Sequence, residues 1–286
     1  MIEREIVIDT SAILVTFKCN LRCKLCCTSS PYQKNPEHFS IERLEAILNR
    51  YFELVRLIRK LSFGGGEPML RTDMAELIEI TMKHGGQFDI FEIITNGTII
   101  PADKVLDTIE KFKDKMYIMI DKYGDLSINA DKLAGMFKGR GINHSIRKYY
   151  GEDAHCGGWV DLGDFAHKNN AEAAVTLLSE CCIPNKPKVH TGLYIPVQGE
   201  SALTIPYMAC TNGILHRCAR AYATMLAGSV PVTAPDFIDI MDDRKSLDQI
   251  REEIHSLYMM DYLSACEYCN GFSSSSRRYM PAEQLS

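Results

Sequence analysis

"AILVTFKCNLRCKLCC", Ala12–Cys27, joins an apolar run to a loop that holds four cysteines. The run Ala12–Phe17 reads as a strand, and Cys19, Cys23, Cys26 and Cys27 follow it directly. The first three thiols are spaced C-x3-C-x2-C. Iron–sulfur clusters are held by cysteine thiolates, and a four-iron cluster ordinarily takes four. Three ligands leave one iron open to something else, as an open position marks a catalytic rather than a structural metal site. Cys27, adjacent to Cys26, can hardly turn toward a different iron of the same cubane and reads as a spare thiol. A four-cysteine zinc knuckle, or thiols gathered by chance, are the alternatives that spacing alone leaves open.

Outward from this loop, short apolar runs alternate with helical periodicity. Ser40 is placed to cap a helix whose stripe is Leu44, Ile47, Leu48, Tyr51, Val55 and Ile58. "KLSFGGGEP" is a strand running into a glycine turn, and Leu77 and Ile78 belong to the next helix. "FEIITNG" is a third strand. Pro101 suits the first turn of a helix that carries Val105, Leu106, Ile109 and Phe112. "KMYIMIDKYG" and "HSIRKYY" complete the series of strands. Such alternation predicts a parallel sheet, open or curled into a barrel. In these folds the loops leaving the strand ends converge on one mouth, so Cys19–Cys27, Gly64–Glu67, Thr95–Gly97 and Asp121–Tyr123 should face a common site. Beyond Gly151 the pattern weakens. "KVHTGLYIPV" suggests one more strand, the text from Ser201 is irregular up to a helix near Leu247–Leu257, and the serine-rich tail from Gly271 reads as loosely ordered.

Composition narrows the classes. The chain has 286 residues, 46% hydrophobic, with a net charge of −5. That supports one sizeable core, with or without a small appendage. No basic block argues for nucleic acid. No apolar run approaches a membrane span, and "MIEREIVID" does not resemble a signal peptide, so a cytoplasmic protein is expected. Eleven cysteines, unevenly clustered, fit metal or redox chemistry better than a disulfide scaffold.

Three features together resemble the radical S-adenosylmethionine (radical SAM) family: C-x3-C-x2-C near the start, Gly65-Gly66-Glu67 after the second strand, and "TNG" at Thr95–Gly97 after the third. The resemblance implies that Cys19, Cys23 and Cys26 bind a [4Fe–4S] cluster. It implies that Gly65, Gly66 and Glu67 receive the amino group of S-adenosylmethionine, and that Thr95 and Asn96 pass near the cofactor. It further implies that Leu25 takes the place of an often aromatic residue beside the adenine. The physical reading agrees: a glycine turn lets backbone approach a ligand closely, and a carboxylate suits a protonated amine. The fold implied is α/β, a partial (β/α)6 TIM-like barrel over residues 1–200, followed by a small domain over 201–286.

The late cysteines Cys210, Cys218, Cys266 and Cys269 make a complete ligand set for a second cluster or for zinc. Cys210-x2-Gly213-x4-Cys218 with a distant C-x2-C resembles the twitch domain of some radical SAM enzymes, a shortened SPASM domain, which holds an auxiliary [4Fe–4S] cluster. Cys156, Cys181 and Cys182 remain over.

The family chemistry implied is a 5′-deoxyadenosyl radical that takes hydrogen from an unactivated C–H bond, fed by an electron donor such as flavodoxin or ferredoxin. An auxiliary cluster that accepts an electron would make the reaction a dehydrogenation, as in members of the 2-deoxy-scyllo-inosamine dehydrogenase type. A thiol that returns hydrogen, with Cys156 the first candidate, would make it an epimerisation. Only eleven residues precede Ala12, which favours a small molecule over a ribosomal peptide held by a leader-binding domain. Tyr123 and Arg147, with Asp121, Lys122, Lys148 and Tyr149, suit hydroxyl or phosphate groups, and Trp159 suits a sugar ring. The expected substrate is a sugar, aminocyclitol or sugar nucleotide. Peptide maturation and non-catalytic metal binding are the competing readings.

Overall fold

A computed structural model of the chain describes residues 5–185 and 203–286. The strand expected at Lys188–Val197 lies outside the described residues. Five parallel strands follow one another in chain order: β1 (Ile6–Thr16), β2 (Leu57–Gly65), β3 (Phe88–Thr95), β4 (Met116–Lys122) and β5 (His144–Lys148). Four helices connect them: α1 (Ile41–Leu54), α2 (Met74–Met82), α3 (Asp103–Lys111) and α4 (Ala130–Gly139). Then come α5 (Ala171–Glu180) and the short α6 (Cys182–Asn185), strands β6 (Leu203–Thr211) and β7 (Ile214–His216), helix α7 (Ala219–Leu226), strand β8 (Phe237–Asp239) and helix α8 (Leu247–Met259). The whole is a mixed α/β fold of the partial TIM-like barrel kind, with sheet order β5-β4-β3-β2-β1-β6-β7-β8.

Local chemistry explains the elements. Ser40 accepts a hydrogen bond from the Arg43 N–H and starts α1, a cap that contributes about 1 kcal/mol. Leu44, Ile47, Leu48 and Tyr51 of that helix are buried as the periodicity predicts, but Ile58 is not part of it. The helix ends at Leu54, and Ile58 already pairs with β1 in the sheet. Pro101 likewise stands outside its helix, because Ala102 is the N-cap of α3.

The sheet has two unlike faces, and register assigns residues to them. Ile13 of β1 aligns with Phe63 of β2, and Phe63 with Ile93 of β3; this face is largely apolar and packs under the helices, with Ser11 Oγ 2.9 Å from the Tyr51 hydroxyl of α1. On the other face Ala12 aligns with Ser62, Ser62 with Glu92, and Asp121 with Arg147. Ser62 Oγ donates to Glu92 Oε2 at 2.7 Å, and Lys60 stands 3.6 Å from the same carboxylate. The inner face is therefore a row of paired polar groups, and burying such groups is tolerable only because they are paired.

The region expected to be irregular after Ser201 begins instead with a long strand. β6 runs parallel to β1 from Ile6↔Leu203 to Leu14↔Thr211, so the sheet is continuous across the expected boundary at residue 201. Pro206 disguised this strand, since proline cannot donate to a ladder. It is tolerated because β7 pairs only with Ala209–Thr211, so that among the described residues no strand pairs with Pro206 on that side. Asn212 and Gly213, at φ 52° and 87°, form the two-residue turn into β7. The tail is also ordered. Trp159 and Tyr279 exchange backbone hydrogen bonds at 3.0 and 2.7 Å, and the chain then runs on to the cysteine loop. Among the described residues, no helix is long and apolar enough to cross a membrane.

Candidate active site

The loop after β1 holds Cys19, Cys23 and Cys26 together. Their thiols influence one another, and burial pushes Cys19 up to about 11 and Cys23 up to about 12. Each sulfur has a polar neighbour. Cys19 accepts from the Leu21 N–H at 3.4 Å, Cys23 from Gln284 Nε2 at 3.3 Å, and Cys26 stands 3.3 Å from the Thr28 hydroxyl. Among the described residues no three Cys, His, Asp or Glu side chains are arranged to hold a single metal ion. A cubane spreads its ligands over several irons, so three soft thiolates in one open loop fit that group. Leu25 is half-buried in the same loop.

Two glycines seat the loop. Gly66 N–H donates to Thr16 O and Glu67 N–H to Lys18 O, both at 2.8 Å. A Cβ on Gly65 would lie 2.2 Å from Thr16 O, and one on Gly66 2.1 Å from Lys18 O. The pair is thus required for β2 to press against the root of the cysteine loop. Gly66→Ala is expected to destabilise the metal-free protein by at least about 1–3 kcal/mol, measured by denaturant unfolding, because the obstacle is rigid backbone.

Glu67 is held within the protein. It is fully buried, and both its oxygens are engaged: Oε1 accepts from the Met69 N–H and the Thr95 hydroxyl at 2.9 Å each, Oε2 from the Asn96 N–H at 2.7 Å. Burial pushes its carboxyl up to about 7, against the pull of those hydrogen bonds. Glu67 fastens the glycine turn to the TNG segment, and the half-buried backbone of Gly64–Gly66 is what remains for a ligand amine. Thr95 and Asn96 are buried, and Asn96 Nδ2 reaches Asn20 Oδ1 at 3.0 Å and Cys19 Sγ at 3.7 Å. The TNG segment therefore supports the cysteine loop directly.

Tyr123 and Arg147 come together as expected, beside Asp121. Arg147 donates to both Asp121 oxygens, at 2.5 and 2.8 Å, and the Tyr123 hydroxyl reaches Asp121 Oδ2 at 3.4 Å. Burial pushes the Asp121 carboxyl up, and the Arg147 guanidinium offsets part of that. Tyr123, Tyr149 and Trp159 pack edge and face around the pair, with ring centroids 5.1–6.2 Å apart. Cys156 lies on the far side of this group. It adopts a left-handed backbone at φ 56°, neighbours Tyr149, and its carbonyl accepts from Arg278 at 2.9 Å.

Cys27, read as a spare, is the thiol at the centre. Solvent reaches it, yet Cys26, Arg220, Asp121 and Arg147 surround it, and burial pushes it up to about 12. The thiol is thus accessible at its tip while closely surrounded by protein. Its adjacency to Cys26 is the signal: neighbouring side chains in a tight loop turn in different directions.

The late cysteines do not assemble as their spacing suggests. Cys218 lies among Cys181, Cys269 and Cys266. Cys266 and Cys269 each neighbour Cys181 as well. Two further contacts fix this grouping. Asn169 Nδ2 donates to the Cys266 and Cys269 carbonyls at 2.8 Å each, one helix before Cys181. The Phe272 backbone N–H reaches the Cys181 thiol. Cys210 stands apart. Register puts it beside Ile13 on the helix-covered face, three residues and therefore one face away from Tyr207. It is fully buried in the apolar core under α1. Arg220 and Tyr207 each neighbour both Cys27 and Cys218 and so link the two thiol groups. Arg220 is buried, and its guanidinium lies against the Phe165 ring, 4.8 Å from the centroid.

Residues 13–147 match the family model described as Radical SAM superfamily. A probable GTP 3′,8-cyclase of Archaeoglobus fulgidus is 37% identical over 95 residues, 33% of this chain and 29% of that protein. A second, of Methanocaldococcus jannaschii, is 30% identical over 134 residues, 43% of this chain and 44% of its own length. The chain thus spans less than half the length of these curated relatives. Among solved structures, BtrN in complex with AdoMet and 2-DOIA is similar over 97% of this chain and 98% of that one, at 15% identity and a TM-score of 0.54. Streptococcus suis SuiB bound to S-adenosylmethionine is similar over 96% of this chain and 77% of its own, at 14% identity and a TM-score of 0.50. At these identities the likeness is one of fold.

Proposed function

We propose that this chain, a radical SAM enzyme by its domain at residues 13–147, dehydrogenates a small polyhydroxylated substrate such as a sugar, aminocyclitol or sugar nucleotide. The observation that carries the reading is that Arg220 stands beside both thiol groups, while Asp121 and Arg147 stand beside Cys27. Cys19, Cys23 and Cys26 would hold the cluster that the family implies. Cys181, Cys218, Cys266 and Cys269 would hold an auxiliary [4Fe–4S] cluster of the twitch kind.

When bound, these groups and S-adenosylmethionine supply a 5′-deoxyadenosyl radical to take hydrogen from a carbinol carbon, and an acceptor for the electron that leaves as the hydroxyl loses its proton and a ketone remains. The chain's own residues orient and shield. Asp121 and Arg147 offer paired acceptors and donors to neighbouring hydroxyls, and Asp121, lifted by burial, can take up the hydroxyl proton. Tyr123, Tyr149 and Trp159 exclude water from the reacting carbon. An electron donor such as flavodoxin or ferredoxin would feed the first cluster.

The test is anaerobic reconstitution with iron and sulfide, followed by turnover on a panel of sugars, aminocyclitols and sugar nucleotides, with GTP and a peptide included. Dehydrogenation gives 5′-deoxyadenosine and a product lighter by two hydrogens. A product of unchanged mass that carries deuterium from heavy water would instead mean epimerisation. Cys27→Ala and Cys156→Ala are expected to leave the oxidised product in place, read by mass spectrometry; loss of a deuterium-labelled epimer in either would make that thiol a hydrogen donor.

A further inference from the structure

The last residues of the chain form part of the cluster loop. Lys24 N–H donates to Glu283 O at 2.7 Å, and Leu285 N–H to Arg22 O at 2.8 Å. Between them Gln284 uses both ends of its amide: Oε1 accepts from the Arg22 N–H at 2.7 Å, and Nε2 donates to Cys23 Sγ at 3.3 Å. Nε2 also donates to Ala282 O at 2.7 Å, which holds the amide in that orientation. Ala282 is buried with a left-handed backbone, φ 57°, which turns the chain into this contact. The arrangement is specific, because an acceptor on one side and a sulfur on the other determine which way the amide faces.

We infer that Gln284 is a positioning residue for the cluster at Cys19, Cys23 and Cys26, donating an N–H···S hydrogen bond to Cys23 and so setting the reduction potential. The inference rests on those three cysteines being the cluster ligands. Cys19 takes donors from Leu21 and Asn96 beside it in the site, whereas Cys23 takes its side-chain donor from the far end of the chain. Hydrogen bonds to the sulfurs are one of the controls on cluster potential. A donor stabilises the more negative, reduced state, so the native contact raises the potential and eases electron uptake. Upstream in the same tail, Arg278 Nε donates to Cys156 O at 2.9 Å. The segment therefore spans from the substrate side to the cluster loop.

The experiment is an anaerobic redox titration of the reconstituted full chain, followed by electron paramagnetic resonance. The signal that changes on addition of S-adenosylmethionine identifies the cluster at the first loop. Gln284→Leu removes all three amide contacts. Gln284→Glu keeps the acceptor for Arg22 and removes the donor to Cys23. Both variants are expected to keep wild-type iron content and to show a lower midpoint potential. The anticipated change is about tenfold in the reduction equilibrium, or about 59 mV for one electron. Unchanged potential in both variants, with iron retained, overturns the inference and leaves the cluster assignment intact. Wild-type protein that binds no iron at the first loop overturns both.

Discussion

Cys26→Ala is expected to lose roughly four of about eight irons per chain and to reduce 5′-deoxyadenosine formation to background. Valence decides the outcome. Three thiolates hold three corners of a cube and leave the fourth iron for S-adenosylmethionine. With two thiolates the cube is no longer held, and no protein group among its described neighbours replaces the third. Thr28, the nearest polar side chain to the Cys26 sulfur, is a hydroxyl that already donates to Gly65 O. Cys27→Ala is the matched control. It alters the adjacent residue, yet that thiol faces Asp121, Arg147 and Arg220, so iron content should hold. Iron and sulfide assay with product chromatography decides the matter. Persistent S-adenosylmethionine cleavage in Cys26→Ala would remove the premise on which the functional reading stands.

The second large effect separates Cys181 from Cys210. Cys181→Ala is expected to lose the auxiliary cluster, again roughly four irons, while S-adenosylmethionine cleavage continues and the oxidised product disappears. Cys210→Ala is expected to keep all of its iron. Its cost is packing, about 1 kcal/mol for a small buried group that lines the core under α1. The reverse pattern, with iron lost in Cys210→Ala and kept in Cys181→Ala, would return the ligand set to the hairpin cysteine. Reductive cleavage uncoupled from product formation is the signature that distinguishes an auxiliary acceptor from a structural cluster.

These two cysteines also show where sequence reading stops. β1 to β5 were legible because each strand and helix announces itself locally, by alternation, by the Ser40 cap and by glycine turns. The cysteine loop was legible because its three thiols lie within eight residues of one another. The grouping of the late cysteines was not, because it depends on which face of β6 a side chain occupies. Spacing places Cys210 near Cys218 along the chain, but a strand turns alternate residues to opposite faces, and Cys210 is turned to the helices. Cys181, at the end of α5, reaches the set only through tertiary packing against the segment from Cys266 to Phe272. The Asn212-Gly213 turn was a readable signal for the β6–β7 hairpin that Pro206 masked. The serine run hid an ordered tail because polar composition reports solvation, while the contacts of Tyr279 and Gln284 are made with residues remote in sequence. Glu67 was found by motif, but its carboxylate is spent on holding two turns together, a role that only the hydrogen bonds reveal.

The place of β1 in the sheet has a consequence for synthesis. Its partner on one side, β2, emerges soon afterwards, but the other edge stays bare until Leu203 and the strand it begins have been made. A nascent chain that has completed only its first five strands exposes a row of unpaired amides flanked by isoleucine and valine, which invites strand addition by a neighbour. Translation of the final third is thus also the event that seals the oldest part of the molecule. A ribosome that pauses before it would leave an adhesive intermediate rather than a smaller working enzyme.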